Sequence, residues 1–295
     1  MDSLKGVGVA LVTPFNADDT IDYNAFAKLI EHTIFGNVDF LVVQGTTGES
    51  ATLSVSEKQA VLSFAVKTIA GRVPVVYGHG GSNTKLIAES YKTLDLTGVV
   101  AILSVSPYYN KPSQDGIVAH FKVLNDAFDL PIILYNVPGR TGSNMTAETT
   151  LKLAEFNNII GVKEASGDLG QMSQIIKNKP AHFMVWSGDD DLILQQMAMG
   201  ADGVISVIAN AHPAEFSDLV HSAAKGDFET ARKRHYQVCD IIPLLFAEGN
   251  PGGIKADLKM LGICEEHMLL PLVPISEGLR TNLKKTITNA GIKLN

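Results

Sequence analysis

The stretch Ile159-Ile160-Gly161-Val162-Lys163-Glu164-Ala165 is a short, continuous apolar run that ends on an amine. Continuous apolar runs, unlike alternating ones, are typical of strands whose two faces are both covered, as in a parallel sheet. Similar runs occur at 7–12, 40–43, 75–77, 99–103, 132–135, 183–186 and 203–207. The sequence therefore predicts eight buried strands, of which 159–162 is the sixth.

Helical patterns separate these runs, with apolar residues three and four positions apart. The spacing of about 30 residues is that of a strand-helix repeat, and eight such repeats close into a (β/α)8 TIM barrel. A doubly wound sheet is disfavoured because no Gly-rich fingerprint follows the first strand. We predict a barrel over 1–225 and a C-terminal helical extension over 226–295, with helices at 227–246, 253–261 and 276–289.

Composition excludes several classes of protein. Of the 295 residues, 45% are hydrophobic and 19% are charged, and the formal net charge is -7. No basic stripe is visible, which argues against a nucleic-acid partner. The N-terminal sequence matches neither a signal peptide nor a membrane span. Cys239 and Cys264 are the two cysteines, and we expect free buried thiols in a cytoplasmic protein without a membrane partner.

Lys163 is the leading candidate for chemistry. A lysine held in a desolvating pocket spends part of its time as the free amine, which can attack a carbonyl and form a Schiff base. The simpler alternative is a lysine that leaves the sheet and extends its ammonium into water. The choice between them depends on the ends of the other strands, because active sites of TIM barrels lie there.

The second and fourth predicted strands end in polar loops. After the second strand come Thr46, Thr47 and Glu49 among glycines, a cradle of the size of a carboxylate. The alternative for this segment is a capping box from Thr46 to Glu49. The fourth strand is followed by Tyr108 and Tyr109, although aromatic pairs more often pack than react.

The fifth predicted strand ends on Tyr135, and Arg140 follows in the next loop. A phenol at this place could transfer protons, and a guanidinium could bind a carboxylate through two hydrogen bonds. Four strand ends, those of the second, fourth, fifth and sixth strands, therefore carry side chains suited to binding and converting a small acid.

These segments together resemble the dihydrodipicolinate synthase and N-acetylneuraminate lyase family of pyruvate-dependent aldolases. The matching segments, in the order of the family, are Gly45-Thr46-Thr47-Gly48-Glu49, Pro107-Tyr108-Tyr109-Asn110, Tyr135-Asn136-Val137-Pro138, Gly161-Val162-Lys163-Glu164-Ala165, Ser187-Gly188-Asp189-Asp190, Gly203-Val204-Ile205-Ser206-Val207 and Gly249-Asn250-Pro251-Gly252-Gly253-Ile254-Lys255. The resemblance covers nearly the whole chain.

The resemblance implies a lyase of the Schiff-base type that uses no cofactor and no metal. Pyruvate would bind Lys163, with its carboxylate at Thr46 and Thr47, and L-aspartate 4-semialdehyde would add to the resulting enamine. The family also implies a proton relay of Thr47, Tyr109 and Tyr135, with Tyr109 supplied by a neighbouring subunit, and hence a homotetramer built as a dimer of dimers.

Further site positions follow from the same resemblance. Arg140 matches the arginine with which synthase members hold the carboxylate of the aldehyde, and sialic-acid lyases typically lack it. The main chain at Gly188 and Ile205 would line the pyruvate pocket.

Alternatives of other kinds remain open. One is a lyase or aldolase for sialic acid or a 2-keto-3-deoxy sugar acid, and another is a non-catalytic small-molecule sensor on the same barrel. No two histidines have the spacing of a zinc helix. The run Asp189 to Asp191 is interpreted as a helix cap rather than a cation site.

Regulation is a point of departure from the family. Members inhibited by lysine carry histidines and an acidic residue at a crevice between subunits, near positions that hold Val55, Lys58 and Leu86 here. Lys58 would repel the ammonium of lysine, and Leu86 offers it no counter-charge. We expect weak or absent inhibition by lysine.

Overall fold

The computed structural model describes residues 2–294 and shows a closed barrel of eight parallel strands. Each strand pairs with its neighbours in sequence, and β1 closes the barrel by pairing with β8. The strands are β1 (Gly6–Ala10), β2 (Phe40–Val43), β3 (Val75–Gly78), β4 (Val99–Val105), β5 (Ile132–Asn136), β6 (Ile159–Glu164), β7 (Met184–Ser187) and β8 (Gly203–Ser206). The predicted TIM barrel is confirmed.

Helices connect the strands and surround the barrel. They are α1 (Tyr23–Phe35), α2 (Val55–Ile69), α3 (Thr84–Tyr91), α4 (Gln114–Ala127), α5 (Pro138–Thr141), α6 (Ala147–Leu153), α7 (Leu169–Asn178), α8 (Ile193–Met199) and α9 (Pro213–Ala224). The C-terminal extension adds α10 (Phe228–Val238), α11 (Ile242–Phe246), α12 (Gly252–Met260) and α13 (Glu277–Asn289). No helix of the described chain is long and apolar enough to cross a membrane.

The interior of the barrel is packed with side chains rather than open. Phe40 and Trp186 meet there edge to face, and the indole N–H of Trp186 donates to the carbonyl oxygen of Leu4 at 2.7 Å. Leu4 belongs to a short 3-10 helix that precedes β1. This packing fills the barrel below the level at which Tyr135 and Lys163 stand, so a ligand can enter only from the carboxyl ends of the strands.

Five strands, β3 to β7, end later than the sequence predicts, and the ends of β5 and β6 bear on the site. β6 extends through Lys163 to Glu164, and β5 extends to Asn136. In register, Lys163 pairs with Tyr135 on one side and with Trp186 on the other. Residues paired in register on neighbouring strands project to the same face, so the amine lies inside the barrel. Lys163 is therefore held by sheet pairing, not by a mobile loop.

The extension differs from the prediction at its first helix. The predicted helix at 227–246 is two helices, α10 and α11, which are separated by three residues. Pro243 lies in the first turn of α11 and has no N–H to donate to the preceding turn, so a new helix begins there. Both cysteines are free, but only Cys264 is buried, whereas Cys239 is partly exposed.

Candidate active site

A cavity of about 650 Å³ opens at the carboxyl ends of the strands. The barrel contributes lining residues from β1, β4, β5 and β6 and from the loops after β2, β5, β6, β7 and β8, and the C-terminal extension closes another side. Lining residues from the barrel include Thr46, Thr47, Tyr135, Arg140, Lys163 and Gly188, and those from the extension are Ile242, Pro243, Phe246, Ala247 and Asn250. The ends of the second, fifth and sixth strands, which the sequence analysis singled out, therefore meet at one place, whereas Tyr108 and Tyr109 after the fourth strand do not line this cavity.

Lys163 lies in this cavity and only 5% of its surface is exposed. Its Nζ atom stands 4.6 Å from the centre of the Tyr135 ring. Within residues 2–294 it forms no ion pair, although the carboxylates of Asp189 and Asp190 are close enough to interact with its charge. The alternative of a lysine directed into bulk water is wrong.

Gly188 leaves the space that the Lys163 side chain occupies. A Cβ atom at Gly188 would lie 3.0 Å from Cε of Lys163 and 2.5 Å from Cβ of Ala165. Real Cβ atoms do not approach other atoms that closely, so a larger residue would displace the amine. The glycine at the end of β7 thus shapes the cavity without supplying a functional group.

Glu164 points away from the cavity and fixes the strand ends. Its carboxylate accepts hydrogen bonds from Nδ2 of Asn136 at 3.0 and 3.1 Å, from Nε2 of Gln171 and from the main-chain N–H of Ser166. Burial raises the pKa of Glu164, and these hydrogen bonds act in the opposite direction. The network holds β5 and β6 together directly beside Tyr135 and Lys163.

The loop after β2 forms a short 3-10 helix, Thr46–Gly48. Thr46 is exposed at the cavity and Thr47 is buried. The Thr47 Oγ1 atom accepts a hydrogen bond from Nδ2 of Asn250 at 3.0 Å. The alternative of a capping box from Thr46 to Glu49 is wrong, because the turn has no side-chain cap.

Glu49 instead forms a fully buried ion pair with Lys255 of α12. The carboxylate oxygen lies 2.5 Å from Nζ of Lys255, and both side chains are 0% exposed. Lys255 also donates to the carbonyl oxygen of His267, and Glu49 accepts from the main-chain N–H of Leu269. Burial raises the pKa of Glu49 and lowers that of Lys255, and each charge counters this effect on the other. The pair ties the loop of Thr47 to the C-terminal extension.

Arg140 stands at the mouth of the cavity, in the short helix α5 that follows β5. The residue is exposed, and its guanidinium has no hydrogen-bond or ion-pair partner within residues 2–294. An unpaired guanidinium can bind a carboxylate through two parallel hydrogen bonds. Arg140 and Tyr135 also line a second cavity of about 330 Å³, which reaches Lys58 and His79.

The acidic run after β7 does not cap its helix. The Oδ2 atom of Asp190 accepts from the main-chain N–H groups of Val207 and Ile208, both at 2.9 Å, and so joins β7 to the loop after β8. Asp189 accepts from the N–H of Gly167, and burial raises the pKa of Asp189 to about 6. The interpretation as a cap is therefore wrong. No cluster of three or more metal-binding side chains occurs in the part of the chain that the structure describes.

Comparison with known proteins agrees with this geometry. The dihydrodipicolinate synthetase family model matches residues 3–290. The chain belongs to that family. A relative from Parabacteroides distasonis, named 4-hydroxy-tetrahydrodipicolinate synthase, is 50% identical over 292 residues, which are 99% of this chain and 98% of the relative.

Solved structures of dihydrodipicolinate synthases share the fold throughout. The enzyme from Aquifex aeolicus is 41% identical with a TM-score of 0.94, over 99% of this chain and all of the other. The enzyme from Acinetobacter baumannii, solved in complex with pyruvate, is 37% identical with a TM-score of 0.95, over 98% of this chain and all of the other. The family resemblance seen in the sequence is thereby confirmed.

Two residues expected from the dihydrodipicolinate synthase family lie away from the cavity in the single chain. Tyr109 is 93% exposed and has a positive φ of 74°, which turns the loop outward. Ile205 on β8 is fully buried inside the barrel and does not line the cavity. Their roles in the site, like those of the other candidate residues, stay predictions.

The sequence did not predict that Glu49 pairs with Lys255 or that Asn250 contacts Thr47. Asn250 and Lys255 were noted only within a segment that resembles the family, and nothing local links them to the loop after β2. The partners are separated by more than 200 positions, namely 203 for Thr47 and Asn250 and 206 for Glu49 and Lys255. The sequence offered one signal, Lys255 between the apolar residues Ile254 and Ala256, because a lysine that its neighbours bury needs a partner for its charge.

Proposed function

We propose that this chain condenses pyruvate with L-aspartate 4-semialdehyde, the reaction of 4-hydroxy-tetrahydrodipicolinate synthase in the diaminopimelate route to lysine. The observation that carries the proposal is the buried, unpaired amine of Lys163 beside Tyr135 in the main cavity of the barrel. Membership of the family and the named relatives support it. The chemistry needs no cofactor, because the imine itself withdraws electrons.

The first half of the reaction takes place on pyruvate. With the pyruvate carboxylate at Thr46 and Thr47, the neutral Nζ of Lys163 adds to the keto carbon, and the carbinolamine loses water to give an iminium. The positive nitrogen acidifies the methyl group, which loses a proton to form an enamine. Tyr135 is the group next to the amine that can carry protons to and from the intermediates.

The second half forms the carbon-carbon bond. The enamine carbon adds to the aldehyde carbon of L-aspartate 4-semialdehyde, and the resulting alkoxide takes a proton. Arg140 binds the carboxylate of the aldehyde and thereby orients it. The amine of this substrate then attacks the iminium carbon and displaces the Lys163 amine, which closes the ring. One water is released in the whole sequence.

Reductive trapping tests the first half directly. The protein is mixed with pyruvate, reduced with borohydride and mapped by peptide mass spectrometry. We expect a reduced pyruvate adduct on Lys163 and none in a Lys163→Arg variant. An unmodified Lys163, or an adduct on another lysine alone, would remove the proposal.

The aldehyde partner is tested by substrate comparison. We expect turnover with L-aspartate 4-semialdehyde, and no cleavage of N-acetylneuraminate or of a 2-keto-3-deoxy sugar acid. Arg140→Ala should raise the KM for the aldehyde and leave trapping of pyruvate intact. A preference for a sugar acid would support the sister-enzyme alternative, whereas trapping without any turnover would indicate a sensor.

We further propose a cytoplasmic homotetramer built as a dimer of dimers, in which Tyr109 completes the site of a neighbouring subunit. Its 93% exposed side chain supports this, because an isolated tyrosine at a loop tip has no packing role in its own chain. Mixing inactive Lys163→Ala and Tyr109→Phe variants under exchange conditions tests it. Mixed dimers would hold one intact site, so we expect activity to return, and no recovery would contradict a shared site.

A further inference from the structure

Asn250 lies between α11 and α12 and reaches the cavity from the C-terminal extension. Only 6% of the residue is exposed. Its Nδ2 donates to the Thr47 Oγ1 atom at 3.0 Å, and this is the single hydrogen bond of its side chain within residues 2–294. The Oδ1 atom is buried and has no partner. The amide is therefore oriented by Thr47 alone and not by a wider structural network.

The direction of this hydrogen bond decides what Thr47 can do. A hydroxyl has one proton and two lone pairs, and an amide N–H that occupies a lone pair leaves the proton for another acceptor. The proton of Thr47 has no acceptor among the described residues. Thr47 is 98% buried at the cavity, so the acceptor must come from a ligand or from a neighbouring subunit.

A carboxylate is the natural acceptor for that proton, because it carries only lone pairs. Hydrogen bonds in a chain strengthen one another, so donation by Asn250 makes the Thr47 hydroxyl a better donor. We propose that Asn250 is a positioning residue that holds the Thr47 hydroxyl as a hydrogen-bond donor toward the carboxylate of the keto-acid substrate. The inference rests on the proposed function, since it takes pyruvate as the ligand.

The Asn250→Asp variant keeps the shape of the side chain and removes its hydrogen-bond donor. The two side chains have nearly the same size, but the carboxylate only accepts, so it would draw the Thr47 proton toward itself and place a negative charge near the substrate carboxylate. We expect the KM for pyruvate to rise by roughly 10- to 100-fold, the range of a hydrogen bond to a charged group. Asn250→Ala removes the donor without reversing it and should raise this KM less. An Asp variant equal to or better than the Ala variant would overturn the inference.

A double-mutant cycle distinguishes positioning from a general structural role. If Asn250 acts through the hydroxyl, Asn250→Ala, which adds no charge, should change the KM for pyruvate little once Thr47 is valine. Effects that simply multiply in the double variant would show that Asn250 does not act through Thr47. Thermal unfolding of each variant shows whether the fold persists, and the conservative Asn250→Gln variant tests for partial rescue.

A failure of the inference about Asn250 can be distinguished from a failure of the proposed function. Borohydride trapping of pyruvate on Lys163 of the unaltered protein depends on the proposed function and not on Asn250. If trapping succeeds and the Asn250 variants bind pyruvate normally, only the present inference fails. If trapping itself fails, pyruvate is not the substrate, and the proposed function fails.

Discussion

The amine of Lys163 and the ring of Tyr135 stand 4.6 Å apart, on strands that pair in register. Because both residues belong to the sheet, their separation is set by main-chain hydrogen bonds. The proposed transfer of protons by Tyr135 depends on this fixed placement of its ring beside the amine.

Tyr135→Phe should therefore lower kcat without abolishing attachment of pyruvate. Removal of a general acid or base costs roughly 10²- to 10⁴-fold in rate. Steady-state kinetics and borohydride trapping measure the two effects separately. Tyr236→Phe on the surface of α10, where the side chain is 68% exposed, serves as the control. An unchanged kcat in Tyr135→Phe would contradict the proton-transfer role.

Gly188→Ala should hinder Schiff-base formation. The added Cβ would lie 3.0 Å from Cε of Lys163 and even closer to Ala165, so the amine must move from its place beside Tyr135. We expect the trapping rate with pyruvate to fall by about tenfold or more, since small displacements of reacting groups are costly. Gly278→Ala in α13, where a Cβ meets no atom within 4 Å, should leave the rate unchanged. Normal trapping in Gly188→Ala would show that the site tolerates the methyl group.

The buried pair of Glu49 and Lys255 should be far more sensitive to single than to double substitution. Removing one partner leaves an unpaired buried charge, which costs on the order of 3–5 kcal/mol, whereas replacing both with apolar residues can be nearly neutral. Urea unfolding of Glu49→Leu, Lys255→Met and the double variant measures the difference. The exposed pair of Glu31 and Arg72 offers a matched control, with an expected loss below about 1 kcal/mol on Arg72→Met. Additive losses at the buried pair would contradict the prediction.

Because of buried His120, the free energy of unfolding should fall as the pH is lowered below about 6.5. Burial lowers the pKa of His120 to about 4, while its unfolded-state value is about 6.5. Between these values the unfolded chain binds the proton and the folded chain does not, so stability is lost as the pH falls from 6.5 to 4, by on the order of 3 kcal/mol.

Urea unfolding at stepped pH measures this dependence, and His120→Gln should reduce its slope in that interval. His182 is exposed, so His182→Gln should leave the slope as in the unaltered protein. Equal slopes in all three proteins would show that His120 takes up its proton in the folded state.

Lysine should inhibit the enzyme weakly or not at all. Val55 and Leu86 are 70% and 60% exposed and offer no counter-charge to an amino acid, and Lys58 adds a like charge at the second cavity. Initial rates with lysine added up to millimolar concentration test this. Strong inhibition in the micromolar range would mean that other groups bind the effector.

The sequence alone predicts the barrel and the cavity residues that lie at the strand ends, for a physical reason. The parallel strands of a closed barrel place all their carboxyl ends at one rim, so side chains at the ends of different strands, such as Thr47, Tyr135 and Lys163, must converge. Their meeting is a consequence of topology and requires no knowledge of long-range contacts.

The remaining errors arose where a local pattern had two structural solutions. Thr46 and Glu49 have the spacing of a capping box, yet the loop turns tightly and Glu49 finds Lys255 across the chain. The acidic run after β7 resembles a cap in the same way, whereas Asp190 binds the loop after β8. Partners about 200 positions apart leave no periodic signal in a single sequence.

The late position of Asn250 and Lys255 also sets an order of events during synthesis. The eight strands leave the ribosome before these two residues do, so Glu49 lacks its counter-charge and Thr47 its amide partner until the C-terminal extension follows. A chain that stops after the final strand would therefore lack the counter-charge of Glu49 and the amide partner of Thr47, both of which the last quarter of the polypeptide supplies.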